Sequence, residues 1–528
     1  MAHSMRIESL RDGDLERAQR ETWGAAVTTY SEEYRELVAE SSRGAVTAAF
    51  REEIAAVVRP DSLISEPAQL HTYECDGLTG YRVTPALVVL PATTEEVAAV
   101  VRLCAEHRIP FVARGAGTGL SGGALPVADG IVIGLARMRT MLSVDVDNQR
   151  AVVQPGVTNA GISAAVGRHD LYFAPDPSSQ IVCTIGGNVA ENSGGAHCLK
   201  YGFTTNHVLA LTFVTPDGDV VTLGGDSPDQ LGPDLRAVVL GSEGTLGIVT
   251  EITVRLLRRP EAVRTLVADF PDPERAGNAV SDIVAAGIVP AAVEMLDELA
   301  IEACEKAVQA GYTLGSPAAL VVELDGVAAE VEEEFERVQE ICRANASTHI
   351  RIAGDPVERA KVWKGRKAAF AAMGRISPDY FVQDGVIPRT KLGSTLTRIR
   401  EMSDAAGLRV ANVFHAGDGN LHPLVLYNGA VPGEAEAAEQ LATAIVELCV
   451  DQGGSITGEH GVGSDKACSM LKMFGPDDLT VMARVRAAFD PQGICNPGKV
   501  LPTPRLCGER PGPYRPHPLE SAGVIERL

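Results

Sequence analysis

The run RGAGTGLSGG, Arg114 to Gly123, limits what this chain can fold into more than any other stretch. Gly117, Gly119 and Gly122 form a GxGxxG match, the pattern of a nicotinamide-binding turn. Such a turn has to open a helix, because the pyrophosphate rests on the helix N-terminus. Here Gly123-Ala124-Leu125-Pro126 follows, and a proline so close behind the loop would break a helix. The chain runs instead into an apolar strand, Gly130 to Leu135, and arrives from another, Pro110 to Ala113. The reading is strand-loop-strand, with consecutive backbone N–H groups free to converge on an anion such as a pyrophosphate.

Two further glycine clusters share that character. PDPSSQIVCTIGGNVAENSGG, Pro175 to Gly195, reads as a long backbone-exposing loop, with Ile181, Val182, Ile185 and Val189 expected to be buried. GSEGTLG, from Gly241, runs directly into a strand. Upstream, strand Ala86 to Leu90 precedes a helix that Thr93 and Glu96 open as a capping box and that ends near Glu106. A hairpin turning at Asp147-Asn148-Gln149 separates the first two clusters.

At 528 residues the chain exceeds a single core. Beyond Arg259-Pro260 strands alternate with helices: strand Thr265 to Phe270, helix Pro273 to Ala286, strand Ala319 to Leu324, helix Val331 to Ala344 and strand His349 to Ile352. That pattern reads as an α+β sheet domain, and the acidic run Glu330 to Glu336 as a solvated helix face. The expected divisions are a charged helical arm at 1–50, domains at 82–260 and 261–502, and an irregular proline-rich tail at 503–528. A net charge of −22 argues against nucleic acid or an anionic membrane surface as main partner. No apolar run is long enough to span a bilayer, and the first residues lack a secretory core, so cytoplasm is the default compartment. The ten cysteines include no CxxC pair, so neither a disulfide framework nor an iron-sulfur site is encoded.

HAGDGNLH, His415 to His422, puts a histidine at each end of a turn between the strand-like runs Leu408 to Phe414 and Leu424 to Tyr427. Glu459 and His460 follow in GEHGVG. Imidazoles and a carboxylate suit a divalent first-row metal with one position left open; equally, a polar hairpin turn can carry two histidines.

With these motifs in this order, and NPGK at Asn496 to Lys499, the chain resembles the flavin-linked oxidases of the vanillyl-alcohol oxidase superfamily. The likeness runs over about 70 to 507, within the group holding glycolate oxidase and the D-lactate and D-2-hydroxyglutarate dehydrogenases. It implies an α+β fold: a PCMH-type FAD-binding domain of two α+β subdomains, and a substrate domain whose antiparallel sheet caps the flavin. Gly115, Ala116, Gly117, Thr118, Gly119, Leu120 and Ser121 would cradle the pyrophosphate. Pro175, Asp176, Ser179, Gly186, Gly187, Asn188, Asn192, Gly194 and Gly195 would line the flavin and its ribityl chain, with Glu243, Gly244, Ile248 and Asn496 completing the site. The first loop offers Thr118 where relatives with covalent flavin carry a histidine, so the expected FAD is non-covalent.

By the same resemblance His415, His422 and Glu459 would hold a divalent metal, zinc by preference, and His460 would be the base. Arg366, in WKGRKAAF, would grip a substrate carboxylate, although among Lys361, Lys364 and Lys367 it reads as a surface residue. The implied reaction is oxidation of a small 2-hydroxy acid, glycolate or D-lactate, with electrons leaving through a second flavin-fold subunit and an iron-sulfur subunit. Partner subunits would also account for peripheral association with the inner membrane face. A zinc hydrolase would use the histidines but leave three glycine clusters idle. A silent flavin-holding subunit would keep the glycines and shed the histidines and Arg366.

Overall fold

The computed structural model describes residues 32–38, 43–227 and 232–503. Most of the arm at 1–50 and of the tail at 503–528 lies outside them. Two described segments at the arm's end pack inward. Helix Ala48–Val57 buries Phe50 and Ile54 in the first core, and Tyr34 donates a hydrogen bond to the carbonyl of Pro502.

The first sheet comprises β1 (Leu63–Ile64), β2 (Leu87–Val89), β3 (Phe111–Arg114) and β4 (Ile131–Gly134), in the order β1-β2-β4-β3. β3 and β4 are parallel neighbours, yet the glycine loop alone connects them, where a parallel crossover ordinarily uses a helix. The strand-loop-strand reading therefore holds, and the loop is thrown across the end of the sheet. Thr93 caps helix Thr94–His107 by accepting from the Glu96 N–H, while Glu96 accepts from the N–H of Ala92.

The second sheet is antiparallel: β5 (Met141–Asp145), β6 (Arg150–Val153), β8 (Val208–Val214), β9 (Val220–Gly224) and β10 (Ile248–Arg255), in the order β5-β6-β10-β8-β9. A short pair, β7 (Leu171–Tyr172) with β11 (Leu257–Arg258), closes its edge. The second glycine cluster departs from the loop expected of it. Ile185–Glu191 is a helix, ended by Asn192 in the left-handed conformation. Ile185 and Val189 are buried on one face of that helix, whereas Ile181 and Val182 precede it in a turn and are 78% and 52% exposed.

The third sheet has nine strands: β12 (Ala262–Phe270), β13 (Ala292–Asp297), β14 (Ala318–Gly326), β15 (His349–Ile352), β16 (Asp379–Val382), β17 (Gly385–Val386), β18 (Arg409–His415), β19 (Asn420–Leu421) and β20 (Pro423–Tyr427). Its centre runs β15-β12-β14-β13-β18, every pair antiparallel. Both faces are covered by helices, so its strands read as continuous apolar runs; strand period 2 still separates the faces. Leu266, Ala268, Phe270, Leu320, Val322 and Leu324 join one core, and Val267, Ala319 and Val321 the other. On the second face Ala411 and Val413 lead to His415, and Leu426 and Leu424 lead to His422. Glu294 stands opposite both Val321 and His415 in register, so it shares that face.

A buried charge cluster ties this sheet to the glycine-rich half. His197 lies between Asp176 (2.9 Å) and Glu323 (3.3 Å), its ring against Trp363. Glu323 also receives both arms of Arg359 at 2.7 Å and the indole N–H of Trp363 at 2.6 Å. Burial lowers the pKa of His197, but the two carboxylates outweigh it and raise the value from 6.5 to about 10. The stability this contributes is complete below pH 6.5 and lost as pH climbs through about 10. His197→Gln should cost about 3 to 5 kcal/mol near neutral pH, because it strands buried carboxylates. In thermal melts the gap between wild type and variant should close between pH 6.5 and 10, and a gap constant with pH would contradict the assignment.

Candidate functional site

All three sheets direct loops at one cavity. Its wall holds Gly115, Ala116, Gly117, Thr118, Gly119 and Leu120 of the first glycine loop, and Ser179, Gly186, Gly187 and Asn188 of the second. Glu243, Gly244 and Ile248 come from the third, and Glu459, His460, Lys367, Phe370 and Ala371 from the sheet domain. At Gly117 φ is +70°, and a Cβ there would fall 2.2 Å from the Arg114 guanidinium. Arg114 Nη1 and Thr184 Oγ1, both buried in wall residues, have no hydrogen-bond partner. Spare donors beside convergent glycine backbone suit an elongated phosphate-bearing cofactor.

Seven residues expected in the wall stand behind it. Ser121 Oγ donates to the carbonyl of His460 at 2.9 Å, and its own carbonyl accepts from the N–H groups of Ser464 and Asp465. Asn496 Nδ2 donates to the carbonyls of Gly123 (2.9 Å) and Glu243 (2.7 Å), locking the first loop to the third. Pro175 accepts from Asn159, and Asn192 accepts from the Thr205 N–H. Gly195 leaves room for the Asp176 backbone, which a Cβ would meet at 2.6 Å, and Gly194 leaves room for Phe203 and Glu459. Asp176 turns to His197 and Lys367, so it ties domains and takes no place in the cavity wall.

Behind the sheet-domain side of the wall lie His415 and His422. Glu459 Oε1 is 3.1 Å from His415 Nε2 and 3.2 Å from His422 Nε2. Ligands about 2.1 Å from a tetrahedral ion are about 3.4 Å apart, so one small dication fits this spacing. Neither ring nitrogen of His422 makes a hydrogen bond with good geometry, though Nε2 is also 3.4 Å from Asp384. His460 stacks on His422, ring centroids 4.9 Å apart. Burial, together with the His422 ring, holds His460 at about 4 despite Asp384 and Glu459, which leaves its imidazole neutral.

Three acidic residues missed at the level of sequence build this cluster. Glu294 accepts from His415 Nδ1 at 2.7 Å, which turns Nε2 toward Glu459. Its other oxygen accepts from Arg366 Nε at 2.6 Å. Asp384 accepts from the consecutive N–H groups of Gly458, Glu459 and His460 at 2.9 to 3.1 Å. The chain curls around that carboxylate outside any strand, so adjacent Glu459 and His460 both face the site. The Gly461 N–H goes to the Thr457 hydroxyl, and Glu243 receives the two that follow, of Val462 and Gly463, each at 2.6 Å. Glu191, the third, lines the cavity beside Glu243 with Oε2 unpartnered; burial and that neighbour push it well above the usual carboxylate range.

The surface reading of Arg366 is overturned: the side chain is 2% exposed. Val362, Arg366, Ala369 and Met373 follow a helical stripe, and helix Pro356–Ala372 packs that stripe on the site face of the sheet. The stripe was readable, but the flanking lysines obscured it. Nη2 of Arg366 has no partner.

The site thus combines a glycine-walled cofactor cavity with a buried His/Glu/Arg cluster at one end, the arrangement of a cofactor-dependent oxidoreductase. Residues 85–224 match the FAD binding domain family, and residues 259–500 match FAD linked oxidases, C-terminal domain. The glycolate oxidase subunit GlcD of Escherichia coli K12 is 49% identical over 91% of this chain and 95% of its own length. A mitochondrial cytochrome-type D-lactate dehydrogenase of Arabidopsis thaliana is 32% identical over 80% and 74%. A solved 4-ethylphenol oxidase from Gulosibacter chungangensis shares the fold with a TM-score of 0.73 at 19% identity, covering 88% of this chain and 100% of its own. The chain belongs to the FAD-linked oxidases, with a PCMH-type FAD-binding domain joined to the family's C-terminal domain. It is a flavin-dependent oxidoreductase.

Asp384→Asn should lower stability by at least about 2 kcal/mol in denaturant titrations, because it removes the charge from the one oxygen that accepts three backbone N–H groups. If the His415/His422/Glu459 cluster takes up added zinc, Glu294→Gln should weaken that uptake about 10- to 100-fold in chelator competition, and unchanged affinity would show that Glu294 does not orient His415.

Proposed function

We propose that this protein oxidises a small 2-hydroxy acid, glycolate first and D-lactate second, to the 2-oxo acid. The observation that carries the reading is His460: it lines the flavin cavity, and its ring stacks on His422 of the His415/His422/Glu459 cluster. FAD would be held non-covalently along the glycine loops and would supply the acceptor for the hydride from C2. A divalent metal, zinc by preference, would be held by His415, His422 and Glu459 and supply a Lewis acid for the hydroxyl. Zinc takes water from a pKa of about 15.7 to about 7, which bounds that help near 12 kcal/mol.

The chain's own groups do the rest. Arg366, anchored by Glu294 through Nε, keeps a free Nη2 for the substrate carboxylate. His460, neutral and cavity-facing, takes the hydroxyl proton. The loop at 457–463 holds that imidazole and the Glu459 carboxylate on one side of the cavity, fixing the C–H bond toward the acceptor. Electrons then leave the chain. The Escherichia coli relative is described as a subunit, which supports transfer to partners, a second flavin-fold subunit and an iron-sulfur subunit. Among the described residues no helix is long and apolar enough to cross a membrane. A cytoplasmic protein held at the inner membrane face through such partners fits that observation.

Purified protein should show a flavin spectrum that bleaches on anaerobic addition of glycolate. A colourless zinc protein would favour a hydrolase, and an unbleachable yellow one a silent subunit. His460→Asn should keep flavin and metal yet cut flavin reduction by about 10² or more. His415→Ala should lose metal, and near-normal turnover in both variants would remove the mechanism.

A further inference from the structure

Helix Pro356–Ala372 brings two side chains to the site one turn apart, Arg366 and Phe370. Residues four apart share a helix face, so a substrate gripped by Arg366 has Phe370 as its neighbour. Phe370 is the one phenylalanine, tyrosine or tryptophan among the described residues that line the cavity. Its ring meets His422 edge-on, centroids 5.7 Å apart, and is backed by the apolar core on the site face of the sheet. That backing leaves the ring little room to swing aside.

We propose that Phe370 sets the upper size of the acid by occupying the space into which a substituent on C2 would extend. This rests on the 2-hydroxy acid reading. In that reading the carboxylate goes to Arg366, the hydroxyl to His460 and the His415/His422/Glu459 cluster, and the C2 hydrogen to the flavin side. The fourth substituent of C2 then faces what remains of the sheet-domain wall. Lys367 there is paired with Asp176, and Ala371 is small, which leaves Phe370. The ring admits hydrogen or methyl and meets a longer chain. A methylene refused by an apolar wall is worth roughly 10- to 200-fold in discrimination.

The test uses flavin-loaded wild type, Phe370→Ala, Phe370→Leu and Phe370→Trp. Anaerobic flavin reduction would be measured with glycolate, D-lactate, D-2-hydroxybutyrate and D-2-hydroxyvalerate. Dissociation constants of the matching 2-oxo acids, read from flavin absorbance, add an equilibrium measure that turnover does not enter. The ratio of D-2-hydroxybutyrate to glycolate should rise at least about tenfold in Phe370→Ala and part-way in Phe370→Leu, with 2-oxobutyrate binding moving in parallel. Phe370→Trp should depress D-lactate relative to glycolate. Ratios unchanged in a Phe370→Leu protein that keeps its flavin and still oxidises glycolate overturn the size limit alone. If no 2-hydroxy acid reduces the wild-type flavin, the functional reading fails and the size limit with it.

Discussion

Of the six backbone N–H groups from Gly458 to Gly463, five are gathered by two buried carboxylates, and that of Gly461 goes to the Thr457 hydroxyl. Asp384 belongs to the sheet domain and Glu243 to the third glycine loop, ahead of β10 in the second sheet. Charge-assisted bonds of this kind are about twice as strong as neutral ones, and here they replace the ladder a strand would have used. Lys466 and the His422 ring hold Asp384 well below the usual carboxylate range despite its burial, so it stays an acceptor. Every other part of the site depends on that loop: it aims Glu459 at the histidines, His460 at the cavity, and closes the gap between two domains.

The nine-stranded sheet sets the opposite side. Its period-2 alternation delivers His415, His422, Glu294 and Glu323 to positions that apolar residues otherwise occupy. Buried charges of this density are costly unless each is paired, and nearly all are. Glu323 neutralises Arg359 and His197, while Glu294 spans His415 and Arg366. Among the buried polar atoms without partners, Arg366 Nη2 and both nitrogens of His422 belong to the His/Glu/Arg cluster, and Glu191 Oε2 to a residue of the cavity wall. Unpaired polar atoms are tolerated where a ligand supplies the missing bonds.

Local chemistry made much of the flavin domain legible. Thr93 and Glu96 marked a helix start, Pro126 excluded a helix after the glycine loop, and the third cluster ran into β10 as read. The second cluster misled, because Gly186 and Gly187 have low helix propensity, and burial of Ile185 and Val189 overrode it. Strand β13 passed unread, and Glu294 with it, since nothing near Ala292–Asp297 in the sequence announces that its glutamate will oppose His415. Asp384 is a similar case, lying 75 residues from the Glu459 N–H group it holds.

The sequence by itself determined that this is a chain of two domains, with a glycine loop between strands outside the nicotinamide pattern and three histidines and a glutamate that the fold then brings together. Those conclusions rest on short-range rules of proline, glycine and spacing. Only the tertiary structure decided that Arg366 is buried, that Asp176 serves a domain contact, and that Glu294, Asp384 and Glu243 orient the reactive groups. Orientation of a side chain inside a core is settled by partners distant in the chain, through register and hydrogen bonds that no local pattern records.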